Sequence, residues 1–348
     1  MSTIRTITML TLAAALLTGG LAGCSPEDRP KRHKQPGQLR VLCSTYPVYL
    51  FTHQVTAGCE GVTVEMMLPA GVGCPHDYNL TPGDMRKLAA ADVLVINGLG
   101  MDNFMLVPLR QANKTITVID TSDGLVGLVT MSACSHGHDE HDADEEDEED
   151  DDADGHHHDH SCAHDHGPVN PHLFASPRMA ATVVRNLAFE LSRVDPANAE
   201  QFMANGLAYA KRLDALAGEM ETTLRDAPQR KIVTEHAVFD YLARDCGLEI
   251  AAVIEEIPGQ DPVAVEMQAL MEQIRASGAS VIFFEPKYPL DGPQKPSKVA
   301  RTLADELRLP VEMLDPVALG PDNPPADYYE TRMRANLATL VRVLGKSQ

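Results

Sequence analysis

Pro75-His76-Asp77-Tyr78-Asn79-Leu80-Thr81-Pro82-Gly83-Asp84-Met85-Arg86-Lys87-Leu88-Ala89-Ala90-Ala91-Asp92-Val93-Leu94-Val95-Ile96-Asn97-Gly98-Leu99-Gly100 holds a loop, a helix and a strand in succession. Thr81 to Ala90 reads as a helix that ends just before Asp92 to Asn97, whose apolar run reads as a strand. Upstream, Leu39 to Ser44 and Val62 to Leu68 read as strands, and Thr115 to Ile119 reads as another downstream. Strands that alternate with helices need crossover connections, so the pattern predicts a parallel sheet flanked by helices.

The rhythm is interrupted and then resumes. Pro177 to Val194 has helical periodicity, and a longer helical stretch runs from about Pro196 to Arg225, with Asp195 expected as N-cap and Pro196 as the first helical residue. At 1.5 Å per residue this second helix would span roughly 45 Å, enough to cross between domains. Lys231 to Thr234, Leu248 to Ile254, Ala279 to Glu285 and Val311 to Leu314 then read as strands, with helices near 237 to 246, 262 to 277, 294 to 308 and 326 to 344. The expected fold class is α/β, with two βα lobes built on parallel sheets and joined by one long rigid linking helix. Ligands of open α/β sheets bind beyond the carboxyl ends of the strands, so two facing lobes predict a site in the interlobe cleft.

The chain has 348 residues, 44% of them hydrophobic, enough for two ordinary domains with cores. Residues 1–23 begin with Arg5, an apolar run from about Ile7 to Leu17 and small residues, the layout of a secretory signal that is too short to span a membrane. Leu21-Ala22-Gly23-Cys24 resembles a bacterial lipobox, which makes Cys24 the expected lipid-modified terminus and the membrane an expected partner through that anchor. Residues 24–38 carry Pro, Lys and Arg without apolar periodicity and read as a flexible tether. The remaining divisions are an N-terminal lobe at 39–195 with an insert at 135–167, the linking helix at 196–226, and a C-terminal lobe at 227–348.

That insert is the strangest part of the composition. Between His136 and His166 lie nine of the fourteen histidines and fifteen of the fifty carboxylates, with no Lys or Arg, so this tract carries −15 of the formal −21 charge. The acidic run reads as a solvated, self-repelling, disordered spacer. Its histidines, His136, His138, His141, His156, His157, His158, His160, His164 and His166, read as an accessory metal-binding loop, because neutral imidazole is the commonest metal ligand among side chains. Outside the tract the chain is only mildly acidic, with no basic stripe and no tryptophan, which excludes the electrostatic footprint of a nucleic-acid binder. If Cys24 is acylated, six cysteines remain in an oxidising compartment that permits disulfides. Cys134 and Cys162 lie near the two ends of the acidic tract and are expected either to staple its base or to ligate metal as thiolates.

Five histidines lie elsewhere: His33, His53, His76, His172 and His236. His76 sits in a Gly/Pro-rich loop after a strand, His172 in Asn170-Pro171-His172 directly after the insert, and His236 in Thr234-Glu235-His236 at the carboxyl end of a strand. Junctions of this kind are where scaffolds hold functional groups.

At these residues the chain resembles the metal-specific solute-binding proteins of bacterial ABC transporters for zinc and manganese, the cluster A-I binding proteins. The resemblance runs from about Leu39 to Leu344, outside tether and insert. The opening stretch resembles the family's first ligand loop with its following helix and strand, Asn170-Pro171-His172 the second ligand motif, and Glu235-His236-Ala237-Val238-Phe239-Asp240-Tyr241 the third. Phe283-Phe284-Glu285-Pro286 is similar to a strand before the final helix-strand unit, and Leu314-Asp315-Pro316 to the place of an acidic fourth ligand. The resemblance implies a metal set of His76, His172, His236 and Asp315, with Glu235, Glu285 or water as alternatives for the fourth position. Three imidazoles and a carboxylate suit tetrahedral Zn²⁺. Manganese members tend to carry a carboxylate in place of the third histidine, in line with the oxygen preference of harder ions; His236 and the His-rich insert therefore imply Zn²⁺ ahead of Mn²⁺. Two departures stand out. Cys74 replaces the family's usual Asp and is open to pairing with Cys43 or Cys59 or to approaching the metal, and Gly83 replaces a Ser, which predicts a weaker helix start.

The resemblance implies a monomeric, exported, lipid-anchored receptor, not an enzyme, that captures Zn²⁺ and delivers it to an ABC permease. The rigid linking helix implies release through loops and partial lobe movement rather than a wide hinge. Alternatives are a receptor or adhesin for manganese or another divalent metal, a periplasmic zinc store, or a zinc hydrolase, although the His-Glu-x-x-His spacing of helical metalloproteases is absent.

Overall fold

The computed structural model describes residues 38–72, 78–131, 169–255 and 262–345. Among the described residues, eight parallel strands form two four-stranded sheets. The first holds β1 (Leu39–Cys43), β2 (Val62–Met66), β3 (Val93–Ile96) and β4 (Thr117–Asp120) in the order β2-β1-β3-β4. The second holds β5 (Lys231–Thr234), β6 (Glu249–Val253), β7 (Ile282–Phe284) and β8 (Val311–Met313) in the order β6-β5-β7-β8. The two α/β lobes anticipated from the sequence are therefore present, and every expected strand lies within one or two residues of its place, apart from the shorter β7.

Strand composition explains which strands are central. β3 and β7, reading VLVI and IFF, are buried at every position, as expected of strands covered on both faces. The edge strand β2 alternates half-buried with exposed residues. Along the central strands the two-residue period splits the core in two. Val41, Cys43, Val93 and Val95 join a large shared cluster, whereas Leu42, Leu94 and Ile96 join a separate one with Leu88, Met105 and Leu109. In the second lobe Ile232 and Phe283 face the shared cluster, and Val233 and Ile282 face a private one with Ile274, Ala300 and Leu303. Each sheet thus has one face on its own helices, α2 (Pro82–Ala90) and α3 (Asn103–Ala112) or α7 (Ala264–Ser277) and α8 (Lys298–Leu307), and one face on a core common to both lobes.

The common core is filled by α1 (Tyr46–Val55), α4 (Pro177–Val194), α5 (Ala199–Leu224), α6 (Asp240–Cys246) and α9 (Tyr328–Leu344). The linking helix is α5, of 26 residues, about 39 Å long. Its apolar stripe recurs at spacings of three and four, and Phe202, Leu213, Leu216, Met220 and Leu224 are each at most 1% exposed. Burying these five is worth on the order of 10 kcal/mol before the entropy of ordering is subtracted. Gly206 lets α5 close on α4, since a Cβ there would run into the Cβ of Ala188.

The helix starts differ from expectation in two places. Asp195 caps the end of α4 rather than the start of α5; its carboxylate accepts from Asn198 Nδ2 at 2.7 Å, and Asn198 is the N-cap of α5. Pro196 therefore lies in the inter-helix turn. Gly83 does not leave α2 loosely started, because Thr81 and Asp84 form a reciprocal capping box and Pro82 occupies the first turn. Tyr78 adds its hydroxyl to the same carboxylate at 3.0 Å. Burial opposes ionisation of Asp84, but the Thr81 N–H and hydroxyl and the Tyr78 hydroxyl outweigh it and hold the carboxyl below its ordinary range.

Among the described residues no helix is long and apolar enough to cross a membrane. The signal segment with Cys24, His76 with Cys74, and the insert with its nine histidines, Cys134 and Cys162 lie outside the described residues. Cys43, Cys59 and Cys246 are free thiols. Burial pushes the thiols of Cys43 and Cys246 up to about 12, so both act as small apolar core residues.

Candidate metal centre

The second half of the opening stretch builds the seat for His172. Gly98 ends the β3 segment with φ +84°, and a Cβ there would collide with the side chains of Asp120 and Ser122, so the sharp turn requires glycine. The turn directs Asn97 Nδ2 onto Pro171 O at 2.9 Å, while Gly98 N donates to Asp102 Oδ2 at 2.7 Å. The first lobe thus grips Asn170-Pro171-His172 from one side.

The second lobe grips the same turn from the other side. Asn170, fully buried, donates from Nδ2 to Ala237 O at 2.8 Å and to Asp240 Oδ2 at 2.9 Å, and its own carbonyl accepts from the Tyr241 hydroxyl at 2.7 Å. A carbonyl only accepts, so Ala237 fixes which end of the amide is nitrogen. The remaining end, Oδ1, then faces His172 and accepts from its N–H at 2.9 Å and from its ring Nδ1 at 2.8 Å. An amide oxygen cannot donate, so the ring carries a proton on Nδ1, and the neutral ring then has its lone pair on Nε2, the tautomer that a metal ligand needs.

His236 follows β5, and the sheet order surrounds it with carboxylates. Glu285 follows β7 on one side and Glu255 follows β6 on the other. His236 Nδ1 is hydrogen-bonded to Glu285 Oε2, and Nε2 lies 3.1 Å from Glu255 Oε2. Burial disfavours charging the ring, but the two carboxylates outweigh it and raise His236 to about 10. Glu235, fully buried, points elsewhere: Oε1 accepts from Ser297 N at 2.5 Å, tying the capped start of α8 to the end of β5. Burial and the Glu285 charge push Glu235 up from its ordinary range, despite the Ser297 hydrogen bond. Glu235 Oε2 and Glu285 Oε1 are buried with no hydrogen-bond partner.

Asp315 stands differently from the expectation of a fourth ligand. It follows β8 beyond β7, its Oδ2 accepts from Arg332 Nε at 2.5 Å and its Oδ1 accepts from Val317 N at 2.7 Å. Asn336 brackets its backbone, accepting from Asp315 N at 2.9 Å and donating to Asp315 O at 2.7 Å. Burial raises its pKa even though the Arg332 guanidinium lowers it. In this structure Asp315 is a structural anchor for α9, which is the role of a capped Leu-Asp-Pro turn.

Both flanks of the His76 loop are described although His76 is not. Its stem rests on the second lobe: Gly71 packs under Tyr288, where a Cβ would come within 2.7 Å of the ring, and Ala70 O accepts from Gly320 N at 3.4 Å. Among the described residues no group of three or more His, Cys, Asp and Glu side chains is set to hold a metal ion. Glu255 is the residue that sequence reasoning passed over. The available signal was an acidic residue one position past a strand end, but its relevance depends on β6 lying beside β5.

Comparisons with known proteins bear on the family and the fold. The family model described as zinc-uptake complex component A, periplasmic, matches residues 41–343. The zinc-binding protein AdcA of Streptococcus pyogenes is 31% identical over 307 residues, covering 87% of this chain and 56% of AdcA, so the chain spans little more than half the length of that relative. The high-affinity zinc uptake system protein ZnuA of Bacillus subtilis is 28% identical over 307 residues, 88% of this chain and 87% of that protein. Among solved structures, the SBP FpvC of Pseudomonas aeruginosa in complex with Ni²⁺ superposes with a TM-score of 0.70 at 28% identity, covering 89% of this chain and 99% of FpvC.

Proposed function

Because residues 41–343 match its model, the chain belongs to the zinc-uptake complex component A family, and from that premise we propose that it is an extracytoplasmic receptor that captures Zn²⁺ in the cleft between its lobes and delivers it to an ABC permease. The family is one of transport receptors, and no turnover chemistry is assigned to this chain. The reading uses His76, His172 and His236 as imidazole ligands with one carboxylate beside them. The observation that carries it is Asn170: its oxygen holds His172 with the lone pair on Nε2, and its nitrogen holds Ala237, the residue next to His236. One buried amide therefore couples the imidazole of the first lobe to the strand end that carries the imidazole of the second. Zinc binding by relatives named AdcA and ZnuA supports the choice of ion, as does the nitrogen-rich donor set.

Three further features belong to the same reading. Cys24 is the lipid-anchored terminus, the chain works as a monomer, and the histidines of the insert collect ions weakly as an accessory to the cleft. Metal analysis with competition titration tests the proposal on the full chain, on a chain lacking 135–167 and on His76→Ala. Loop deletion leaves one tight zinc site per chain, and His76→Ala removes it. Loss of all tight binding on loop deletion would instead identify the protein as a zinc store.

A further inference from the structure

Three adjacent strand ends present carboxylate, imidazole and carboxylate in that order. Glu255 N donates to Glu235 O at 2.8 Å and Glu235 N donates to Phe283 O at 2.9 Å, so the backbone ladder continues past the strands and brings Glu255, His236 and Glu285 level across β6, β5 and β7. Each carboxylate addresses one ring nitrogen of His236. We propose that Glu255 is the carboxylate that binds the metal cargo, and that Glu285 is a positioning residue holding His236 through Nδ1. This deepens the receptor reading above and rests on it.

With Nδ1–H donated to Glu285, Nε2 faces Glu255 Oε2 and offers a lone pair to a metal ion once its own proton leaves. In the metal-free protein a ring proton bridges Nε2 and Glu255 Oε2 across 3.1 Å, and a metal ion takes the place of that proton when cargo is bound. A tetrahedral zinc ion with bonds of about 2.0 to 2.2 Å separates neighbouring donor atoms by about 3.3 to 3.5 Å, so the observed spacing is within a few tenths of an ångström of a coordination edge. The carboxylate is pre-oriented, because the Glu255 side chain is only 8% exposed. Glu285, on the other side of the ring, keeps Oε1 buried and without a hydrogen-bond partner. A divalent cation offsets the charge of the two carboxylates that flank His236. Asp315 offers no comparable donor, since one of its oxygens is taken by Arg332 and the other by Val317 N.

The test is chelator competition for Zn²⁺, together with the visible absorption of bound Co²⁺, on the full chain and on Glu255→Gln, Glu255→Asp, Glu285→Gln, Asp315→Asn and His236→Ala. Glu255→Gln is expected to weaken zinc binding at least 100-fold and to change the Co²⁺ spectrum. Glu255→Asp keeps the charge and withdraws the carboxylate, and is expected to lose at least 10-fold, which preserves the test should the amide variant fold poorly. Glu285→Gln loses 10- to 100-fold, the usual effect of removing a partner that orients a ligand, and keeps the Co²⁺ coordination number. Asp315→Asn stays within a few-fold of the parent. Parental affinity and spectrum in both Glu255 variants, with binding lost in His236→Ala, overturn the Glu255 assignment alone. Parental affinity in His236→Ala overturns the receptor site itself.

Discussion

Asn170 is the residue whose replacement separates the two things the cleft needs, a joined pair of lobes and an oriented imidazole. Its side chain makes four hydrogen bonds, two by Nδ2 to the second lobe and two by Oδ1 to His172. Asn170→Ala removes all four. The two across the lobes leave Ala237 O and the Asp240 carboxylate each short of one donor, at about 1–3 kcal/mol each, so the metal-free protein is expected to lose about 2–6 kcal/mol. The two to His172 release its ring, and losing a partner that orients a ligand costs about 10- to 100-fold in metal affinity. Asn170→Asp retains the acceptors facing His172 but replaces the Nδ2 donor with an oxygen facing Asp240. It is expected to be destabilised at least as much as Asn170→Ala while keeping zinc affinity closer to the parent. Chemical denaturation of the metal-free protein and chelator competition on the folded variants give the two numbers separately. Parental zinc affinity in a destabilised Asn170→Ala would refute the orienting role.

Two other outcomes follow from buried positions away from the metal. Gly206→Val drives a branched side chain into Ala188 across the α4–α5 contact, and a loss of about 1–3 kcal/mol is expected from overpacking, read as a lower unfolding midpoint with unchanged zinc stoichiometry. Asp102, 2% exposed, is raised to about 6 from 3.8 chiefly by burial, with the Asp120 charge adding to it and the hydrogen bond from Gly98 N opposing it. The folded state therefore holds this proton more tightly than the unfolded state. Its contribution is most favourable below about pH 4, falls as pH rises towards 6, and is constant above, for a total of about 3 kcal/mol. Asp102→Asn lacks that slope, so denaturation of parent and variant at pH 4 and pH 7 should show the variant gaining on the parent by that order; parallel curves would refute the assignment.

Much of the framework was legible because it rests on local chemistry. The run Val93 to Ile96 has to be covered on both faces, and Thr81-Pro82-Gly83-Asp84 announces a capped helix start, so the strand and helix of the opening stretch are found where composition puts them. α1 and α3 were not anticipated. α1 is buried on most sides, with Tyr46, Leu50, Phe51 and Val55 interspersed with Thr and Pro, so no polar stripe marks it as helical, and α3 carries Pro108 inside it. Of the candidate site, His172 and His236 were legible as positions because each lies in a single local motif, a turn after the insert and a strand end. Glu255 was not, because its meaning depends on the order β6-β5-β7, a long-range pairing to which periodicity is blind. Asp315 shows the converse: its place along the chain suggests a ligand, and Arg332, seventeen residues on, claims its carboxylate.

The single core shared by both sheets has a consequence for how occupancy is read from outside. Val41 and Val95 of one sheet and Ile232 and Phe283 of the other belong to one packed cluster with α4 and α5. Swinging one sheet away from the other would open that cluster along the whole length of the linking helix. Probes placed on α2 and α7, on the private faces of the two sheets, are expected to change their separation only slightly when metal is added. On the proposed receptor reading, loaded and empty molecules are then expected to differ in local relief around the cleft rather than in outline, and a partner that tells them apart would feel for texture, at short range, where the His172 turn meets the end of β5.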